Sequence, residues 1–268
     1  MLKSVKNYFK KFVNQAQRCV KNARLSLSWP VKHLVPLCVA FFCVIGTTSC
    51  TRPISYWQDD SDDEVLLGLT GRSKEFKTII LDAGHGGKDN GTQNLQMALI
   101  EKRLALKTAK MTHLALKKMG YKVVLIRDND TYIDLDARIK KANKYPHSLF
   151  VSIHFNSSPS KAASGIEVFY YNDPSDKNRS YCSSALAHCV LKEMISTSHA
   201  VNRGVKEGSF RVIKSTKAPA ILVEGGFITN HREAAQLAQN PYLQSLASSI
   251  AKGIARYEKK TRHMKYLR

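Results

Sequence analysis

From residue 78 onward, short apolar runs alternate along the chain with segments in which apolar side chains recur every three or four positions. The short runs are rich in β-branched residues and hardly alternate with polar ones, which is typical of strands buried on both faces of a sheet. The segments of helical period predict helices between these strands. The predicted strands are Thr78–Asp82, Tyr121–Arg127, Ser148–His154, Gly165–Tyr171, Phe210–Ile213 and Pro219–Glu224. The predicted helices cover residues 101–119, 134–144, 180–195, 231–238 and 242–258.

Strands that take turns with helices along a chain predict an α/β fold with a mainly parallel central sheet and helices on both faces. We expect one such domain over residues 77–260, followed by a basic tail at 261–268. In sheets of this kind, ligands bind beyond the carboxyl ends of the strands. Functional side chains are therefore expected at those ends.

The first 49 residues differ in composition from this domain. They carry eight basic side chains and no acidic one, and residues 34–46 form an uncharged apolar run of 13. A helix that spans a membrane needs about 20 apolar residues, whereas a basic segment, a short apolar run and small residues are typical of a secretory signal. We predict an export signal over residues 1–49.

Small residues lead directly into Cys50. This ending resembles the processing site of bacterial lipoproteins, so we expect membrane attachment through Cys50 and a location in the bacterial cell envelope, in the periplasm. The long basic lead leaves open an uncleaved membrane tether instead. A nucleic-acid-binding arm would not need the apolar run.

Residues 50–76 contain an acidic patch among Ser, Gly and Thr without any period that could bury a face, which predicts a flexible acidic linker. The whole chain has 42 basic and 21 acidic residues, a net charge of +21 that suits a polyanionic partner. Arg138, Lys140 and Lys141 are expected on a solvated helix face. Six cysteines in 268 residues are too few for a disulfide scaffold.

Three side chains that can bind metals or transfer protons follow the predicted strand ends. His85 stands on a glycine turn after the first strand, and His154 ends the third. Glu224 ends the last strand and precedes two glycines. Each of them alone is a weak signal, and their coincidence at strand ends favours a shared site.

The helix at 101–119 adds a fourth candidate. Glu101 lies at the centre of an apolar stripe, where a carboxylate is costly unless it is paired or binds a cation. An acidic residue at a helix start can also act as a cap, but the two histidines favour metal ligation. The stripe comprises Leu104, Ala105, Thr108, Met111, Thr112, Ala115, Leu116 and Met119. The opposite side carries Lys102, Arg103, Lys107, Lys110, Lys117 and Lys118.

Two histidines and one carboxylate with a fourth position left open are the ligand set of a catalytic zinc ion. We therefore expect one Zn²⁺ per chain, which would activate a water and polarise a carbonyl. A second carboxylate must then take up the proton and pass it to the leaving nitrogen, a role that suits Glu224.

Six motifs appear in order: LDAGHGG, EKRLALKTA, SIHFNS, GIEVFYY, RGVK and PAILVEGGFITN. Together they resemble the zinc-dependent N-acetylmuramoyl-L-alanine amidases of bacterial cell walls, over almost all of residues 78–257. The resemblance implies zinc ligation by His85, Glu101 and His154, with Glu224 as the catalytic carboxylate. It also implies peptidoglycan as substrate, cleaved at the amide between N-acetylmuramic acid and L-alanine, and a role in wall remodelling or daughter-cell separation.

Other classes of function compete with this interpretation. A zinc peptidase or carboxypeptidase acting on the stem peptide would apply the same chemistry to a different amide, and only the resemblance argues against it. A non-catalytic wall-binding module could lack the metal ligands, whereas all four positions are filled here. A nucleic-acid-binding protein would not need the export signal, so we expect no nucleic acid partner. The sequence leaves any regulatory protein partner unidentified.

Overall fold

The computed structural model describes Phe76 and residues 78–266, with the backbone alone for residues 262–266. The predicted export signal, its apolar run, Cys50 and all of the predicted linker except Phe76 lie outside the described residues. In the part of the chain that is described, no helix is both long and apolar enough to cross a membrane.

The described chain alternates strands and helices, as the hydrophobic pattern predicts. The strands are β1 (Thr78–Ala83), β2 (Gln93–Asn94), β3 (Leu99–Ile100), β4 (Val123–Leu125), β5 (Ser148–Asn156), β6 (Ile166–Tyr170), β7 (Asn202–Glu207) and β8 (Ala220–Phe227). The α-helices are α1 (Glu101–Lys118), α2 (Leu135–Ala142), α3 (Lys177–Ser198), α4 (Arg211–Ser215), α5 (His231–Leu237) and α6 (Asn240–Tyr266). A 3₁₀ turn at Leu95–Met97 separates the small hairpin strands β2 and β3.

The main sheet has the strand order β4-β1-β5-β8-β6-β7. Its first four strands are parallel, β6 pairs antiparallel with β8, and β7 runs parallel with β6. The mainly parallel sheet is therefore confirmed, with a reversed pair at one side. Because of that reversal, β6 and β7 begin at the edge of the sheet where β1, β5 and β8 end.

Two hydrophobic layers cover the sheet, one on each face. Alternate residues of β1, β5 and β8 pack against α1, α3 and α6 on one face. The intervening residues, such as Ile80, Phe150 and Leu222, pack against α2 and α4 on the other face. Helices on both faces are thus confirmed. Asp82, His154 and Glu224, near the strand ends, lie on the same face of the sheet as Ile80, Phe150 and Leu222, because side chains two residues apart in a strand share a face.

Three element predictions differ from the structure. The predicted strand Phe210–Ile213 is instead the start of helix α4, since a short apolar run fits a buried helix turn as well as a strand. Strand β7 was not predicted because it lies at the sheet edge and its half-exposed residues form no apolar run. Helix α6 continues to Tyr266, past the predicted domain boundary at residue 260.

Helix α3 occupies most of the segment between β6 and β7. Its residues Leu186, Val190 and Met194 are fully buried in the main core. Between Tyr171 and Val201, the structure describes no second helix. The segment therefore serves as an ordinary crossover that buries one face of the sheet.

Candidate active site

His85, Glu101 and His154 meet at the carboxyl edge of the sheet, and we call them the His–Glu–His cluster. His85 follows β1, Glu101 is the first residue of α1, and His154 lies near the end of β5. The Oε1 atom of Glu101 lies 2.9 Å from Nε2 of His85 and 2.9 Å from Nδ1 of His154. One ligand atom from each residue lies within 4.8 Å of the other two. The structure thus brings these three sequence candidates together.

Glu101 is fixed by the backbone around it. Its Oε2 accepts a hydrogen bond of 2.9 Å from the Thr92 amide, and Oε1 accepts one of 3.3 Å from the Phe155 amide. No side chain caps α1 at Ile100, so the carboxylate of Glu101 faces the cluster rather than its own helix. Burial alone would raise the pKa of Glu101, but His154 and His85 outweigh it and hold this pKa well below its usual range.

The ring of His85 is oriented from its other side by Asp89. The distance from Nδ1 of His85 to Oδ2 of Asp89 is 2.8 Å, and the Gly91 amide donates to the remaining carboxylate oxygen at 3.0 Å. Burial opposes charge on His85, yet Glu101 and Asp89 together raise its pKa. A carboxylate behind a histidine is a common support of metal ligands. Asp89 escaped the sequence analysis, although its position four residues after His85 on a glycine-rich turn was a usable signal.

Two buried arginines hold the turn that carries His85. Arg138 forms a 2.7 Å ion pair with Asp82 and donates to the carbonyls of Ala83 and His85. Arg127 donates to the carbonyls of Ala83 and Gly84 at 3.0 and 2.7 Å. The expectation of a solvated face is therefore wrong for Arg138, whose exposed fraction is 3%. Its place four residues before the buried Ala142 on α2 was the signal that it faces inward.

Lys102 also differs from its predicted place on the exposed side of α1. Its Nζ donates to the Gly87 carbonyl at 2.6 Å and pairs with Asp130 at 2.9 Å. Asp130 in turn accepts from the Gly87 amide at 2.8 Å. The first turn of α1 is thereby tied to the glycine turn after His85, which the helical period alone does not reveal.

The residues around the cluster fit a zinc ion. Two imidazoles and one carboxylate are the donor set of a catalytic zinc site. Two positions beside these side chains must be glycine. A Cβ atom at Gly84 would lie 2.2 Å from Cε1 of His154, and one at Gly91 would lie 2.6 Å from Oε2 of Glu101. The glycines therefore let the three side chains of the cluster approach one another.

Glu224 lies in β8 next to His154, its register partner in β5. Its Oε2 is buried and, among the described residues, receives no hydrogen bond. Burial, followed by the charges of Glu101 and Glu167, raises the pKa of Glu224 well above its ordinary value. Glu224 is thus a buried carboxyl beside the cluster, and its surroundings favour the neutral form.

A second buried carboxylate, Glu167, faces Glu224 across the β6–β8 pair. Its Oε1 accepts a 2.7 Å hydrogen bond from Asn156, while Oε2 pairs with Arg203 at 2.7 Å and with Lys206. Burial raises the pKa of Glu167, but Lys206 and Arg203 more than offset this and lower it. Glu167 was not predicted as a site residue, although a lone acidic residue within an apolar strand was a signal.

Comparison with known proteins gives consistent matches over this domain. A model of the family N-acetylmuramoyl-L-alanine amidase (Amidase_3) matches residues 79–256. The N-acetylmuramoyl-L-alanine amidase LytC of Bacillus subtilis (strain 168) is 36% identical over 181 residues, which are 68% of this chain and 35% of LytC.

Solved structures match the same region. The N-acetylmuramoyl-L-alanine amidase of Clostridium difficile 630 is 35% identical with a TM-score of 0.64, covering 69% of this chain and 97% of that protein. The CwlD amidase of Clostridioides difficile, solved in complex with the GerS lipoprotein, is 30% identical with a TM-score of 0.62, covering 68% of this chain and 98% of CwlD.

Proposed function

The chain belongs to the N-acetylmuramoyl-L-alanine amidase family, and we propose that it hydrolyses its substrate with one zinc ion held by His85, Glu101 and His154. It is an enzyme of the amidase type that acts on peptidoglycan, at the amide between N-acetylmuramic acid and L-alanine. The observation that carries the zinc proposal is the approach of three ligand atoms to within 4.8 Å.

When bound, the ion would supply Lewis-acid chemistry that activates a water and polarises the scissile carbonyl. The protein itself fixes the positions of the side chains that would bind the ion. Asp89 fixes the ring of His85, and the Thr92 amide fixes the carboxylate of Glu101. Preorganised side chains need little rearrangement during the reaction, and this lowers the activation free energy.

Glu224 is proposed as the proton carrier. Catalytic carboxyls work best when their pKa lies near the operating pH. Burial raises the pKa of Glu224, while positive charge at the adjacent cluster would favour its ionised form. Such a group can take a proton at Oε2 and release it to the amide nitrogen as that nitrogen leaves.

Digestion of purified peptidoglycan tests the activity. We expect new amine termini on L-alanine, released from the lactyl group of the glycan. A new amine on any later stem residue would indicate the alternative, a zinc peptidase or carboxypeptidase. An undigested wall would contradict both.

Metal analysis of the full chain tests the ligands. We expect about one zinc per chain, as for other sites with three protein ligands. His154→Ala should lose the metal, and the matched control Lys217→Met, at an exposed lysine after α4, should keep it. Full zinc occupancy and activity in His154→Ala would overturn the ligand assignment.

We also propose a location in the bacterial envelope. Cell-wall amidases act outside the cytoplasm, and the basic lead with its apolar run supports export into the periplasm by residues 1–49. Mass spectrometry of the mature N-terminus decides the attachment: an acylated Cys50 supports a lipoprotein, an intact Met1 supports a tether, and a soluble cytosolic pool contradicts both. We further propose that this enzyme has a protein partner. The complex of the related CwlD amidase with the GerS lipoprotein supports this proposal.

A further inference from the structure

A row of charged side chains leads from the His–Glu–His cluster across the sheet. His154, Glu224 and Glu167 are successive register partners on β5, β8 and β6. Side chains of register partners stand on the same face of a sheet, about 5 Å apart. The row ends on β7, where Arg203 and Lys206 both contact Oε2 of Glu167.

The charges at the end of this row do not cancel. One carboxylate, Glu167, faces two cations, and its other oxygen is already taken by Asn156. The nearest acid on β7, Glu207, is adjacent to Lys206 in a strand and so points to the opposite face, where it binds Tyr170. About one positive charge is therefore available to a ligand.

Both cations are held in place and reach solvent. The side chains of Arg203 and Lys206 are 33% and 39% exposed. The Arg203 guanidinium lies 4.9 Å from the ring centroid of Phe227, and within the described chain its Nη2 donates no hydrogen bond. A preordered cation with a free donor binds a carboxylate without first losing rotamer freedom.

The distance from the cluster suits a peptide. Two strand spacings of about 4.8 Å separate β5 from β6, roughly 10 Å in all, which two to three residues of extended chain can cover. On the glycan side of the scissile amide the groups are hydroxyls and acetamides, whereas carboxylates belong to the peptide side. A cationic subsite therefore selects the peptide.

We propose that Arg203 and Lys206 form a subsite for the free α-carboxylate of the second residue of the stem peptide. The stem would run from the cluster over β8 and β6 towards β7, with Glu167 holding the two cations in position. This inference rests on the proposed function, because it assumes that the scissile amide lies at the His–Glu–His cluster.

Two substrates that differ in one group test it. N-acetylmuramoyl-L-alanyl-D-glutamine has the α-carboxylate, and its α-amide replaces that group with a neutral carboxamide. A charge-assisted hydrogen bond is worth about 1.5–3 kcal/mol. We therefore expect the full-length enzyme to prefer the carboxylate by about 10-fold or more in kcat/KM, a preference that Lys206→Met and Arg203→Lys should each reduce severalfold. The control Lys217→Met should keep the preference, because this exposed lysine precedes the opposite end of β8.

Binding of the released dipeptides supplies a second measurement. Calorimetry should show tighter binding of L-alanyl-D-glutamine than of its α-amide, and this difference should shrink in Lys206→Met. If the enzyme cleaves neither substrate, the proposed function fails, and dipeptide binding still decides the subsite. Equal kcat/KM and equal binding for the two forms would overturn the inference. So would variants that lose activity on both substrates equally, since that indicates a structural role alone.

Discussion

The two halves of the site edge are built in opposite ways. In the half formed by β1, β5 and α1, every ligand of the His–Glu–His cluster has a partner, and Arg127 and Arg138 bind the backbone of the turn itself. In the half formed by β8 and β6, Oε2 of Glu224 is buried without a hydrogen bond among the described residues. This contrast suits the proposed roles, since metal ligands must hold one geometry, whereas a proton carrier needs a free oxygen.

The same difference separates two glutamates at one edge of one sheet. Both are desolvated, but Glu101 lies between two histidines that lower its pKa, and Glu224 lies near two acidic residues that raise it. Residue type alone thus leaves the role open, and the neighbours decide whether the pKa of a buried carboxyl is lowered or raised.

The largest predicted effect is a loss of thermal stability when a buried arginine that supports the turn after β1 is replaced. Arg138→Met leaves the buried carboxyl of Asp82 without its ion-pair partner and removes the donors to the carbonyls of Ala83 and His85. Breaking a buried ion pair costs about 3–5 kcal/mol, so the melting temperature should fall by roughly 6–20 °C. Thermal denaturation of Arg138→Met beside the exposed control Lys140→Met measures this. A fall no larger than that of the control would mean that the turn does not depend on Arg138.

Replacing Glu101 or Glu224 by glutamine should affect zinc binding in the first half and turnover in the second. Glu224→Gln should lower turnover by about 10²-fold or more, the scale of a lost general acid–base, with zinc retained. Glu101→Gln should weaken zinc binding, and excess zinc should partly restore its activity, because an amide oxygen is the poorer ligand. Zinc titration alongside peptide release measures both variants. Metal loss in Glu224→Gln with retention in Glu101→Gln would reverse the roles.

Asp89→Asn should have a smaller effect within the first half. The amide retains the shape but loses the negative charge behind His85. Loss of such supporting partners costs about 10–100-fold in metal affinity. Competition for zinc with a chelator gives the affinity, and Asp128→Asn, at an exposed position nearby, is the matched control. Unchanged affinity in Asp89→Asn would show that the ring of His85 is held by other contacts.

The smallest effect is a pH dependence of opposite sign in the two halves, in metal-free protein. The pKa of Glu101 is lower in the folded state, so its stabilisation is present above the unfolded value of about 4.3 and is lost as the pH falls through the folded value. The pKa of Glu224 is higher in the folded state, so stability falls as the pH rises above about 4.3.

Accordingly, at pH 8 metal-free Glu101→Gln should melt below the wild type and Glu224→Gln above it. Towards pH 4 the Glu224 difference should shrink, whereas the Glu101 difference should persist, because the folded-state pKa of Glu101 lies well below that pH. Each kcal/mol shifts the melting temperature of a domain of this size by about 2–4 °C. Melting curves at pH 4, 6 and 8 in the presence of a chelator provide the comparison. Shifts of the same sign for both variants would contradict it.

Most of the first half could be predicted because its signals are periodic. Parallel strands place their last residues at one edge, which located His85 and His154, and also Glu224 in the second half. The helical period turned Glu101 inward. Arg127 escaped because it binds backbone carbonyls, and no pattern of apolar positions marks which carbonyls lack a partner.

Glu167 escaped for a topological reason. Site residues were expected at the carboxyl ends of strands, but β6 runs antiparallel to β8, so the first residues of β6 lie at the site. Strand direction in a sheet depends on long-range pairing and leaves no trace in the hydrophobic pattern of a strand. Strand β7, whose start carries Arg203, was not found because its half-exposed residues at the sheet edge form no apolar run.

The reversed pair β6–β7 also has an evolutionary consequence. The loops that enter these strands, residues 157–165 and 199–201, border the Glu167 end of the row, and neither carries a residue of the His–Glu–His cluster. With the proposed peptide subsite, insertions or deletions in these loops would change which wall peptides are accepted without altering the His–Glu–His cluster. Loop grafting at these two places is therefore the natural route to redirect the proposed peptide specificity.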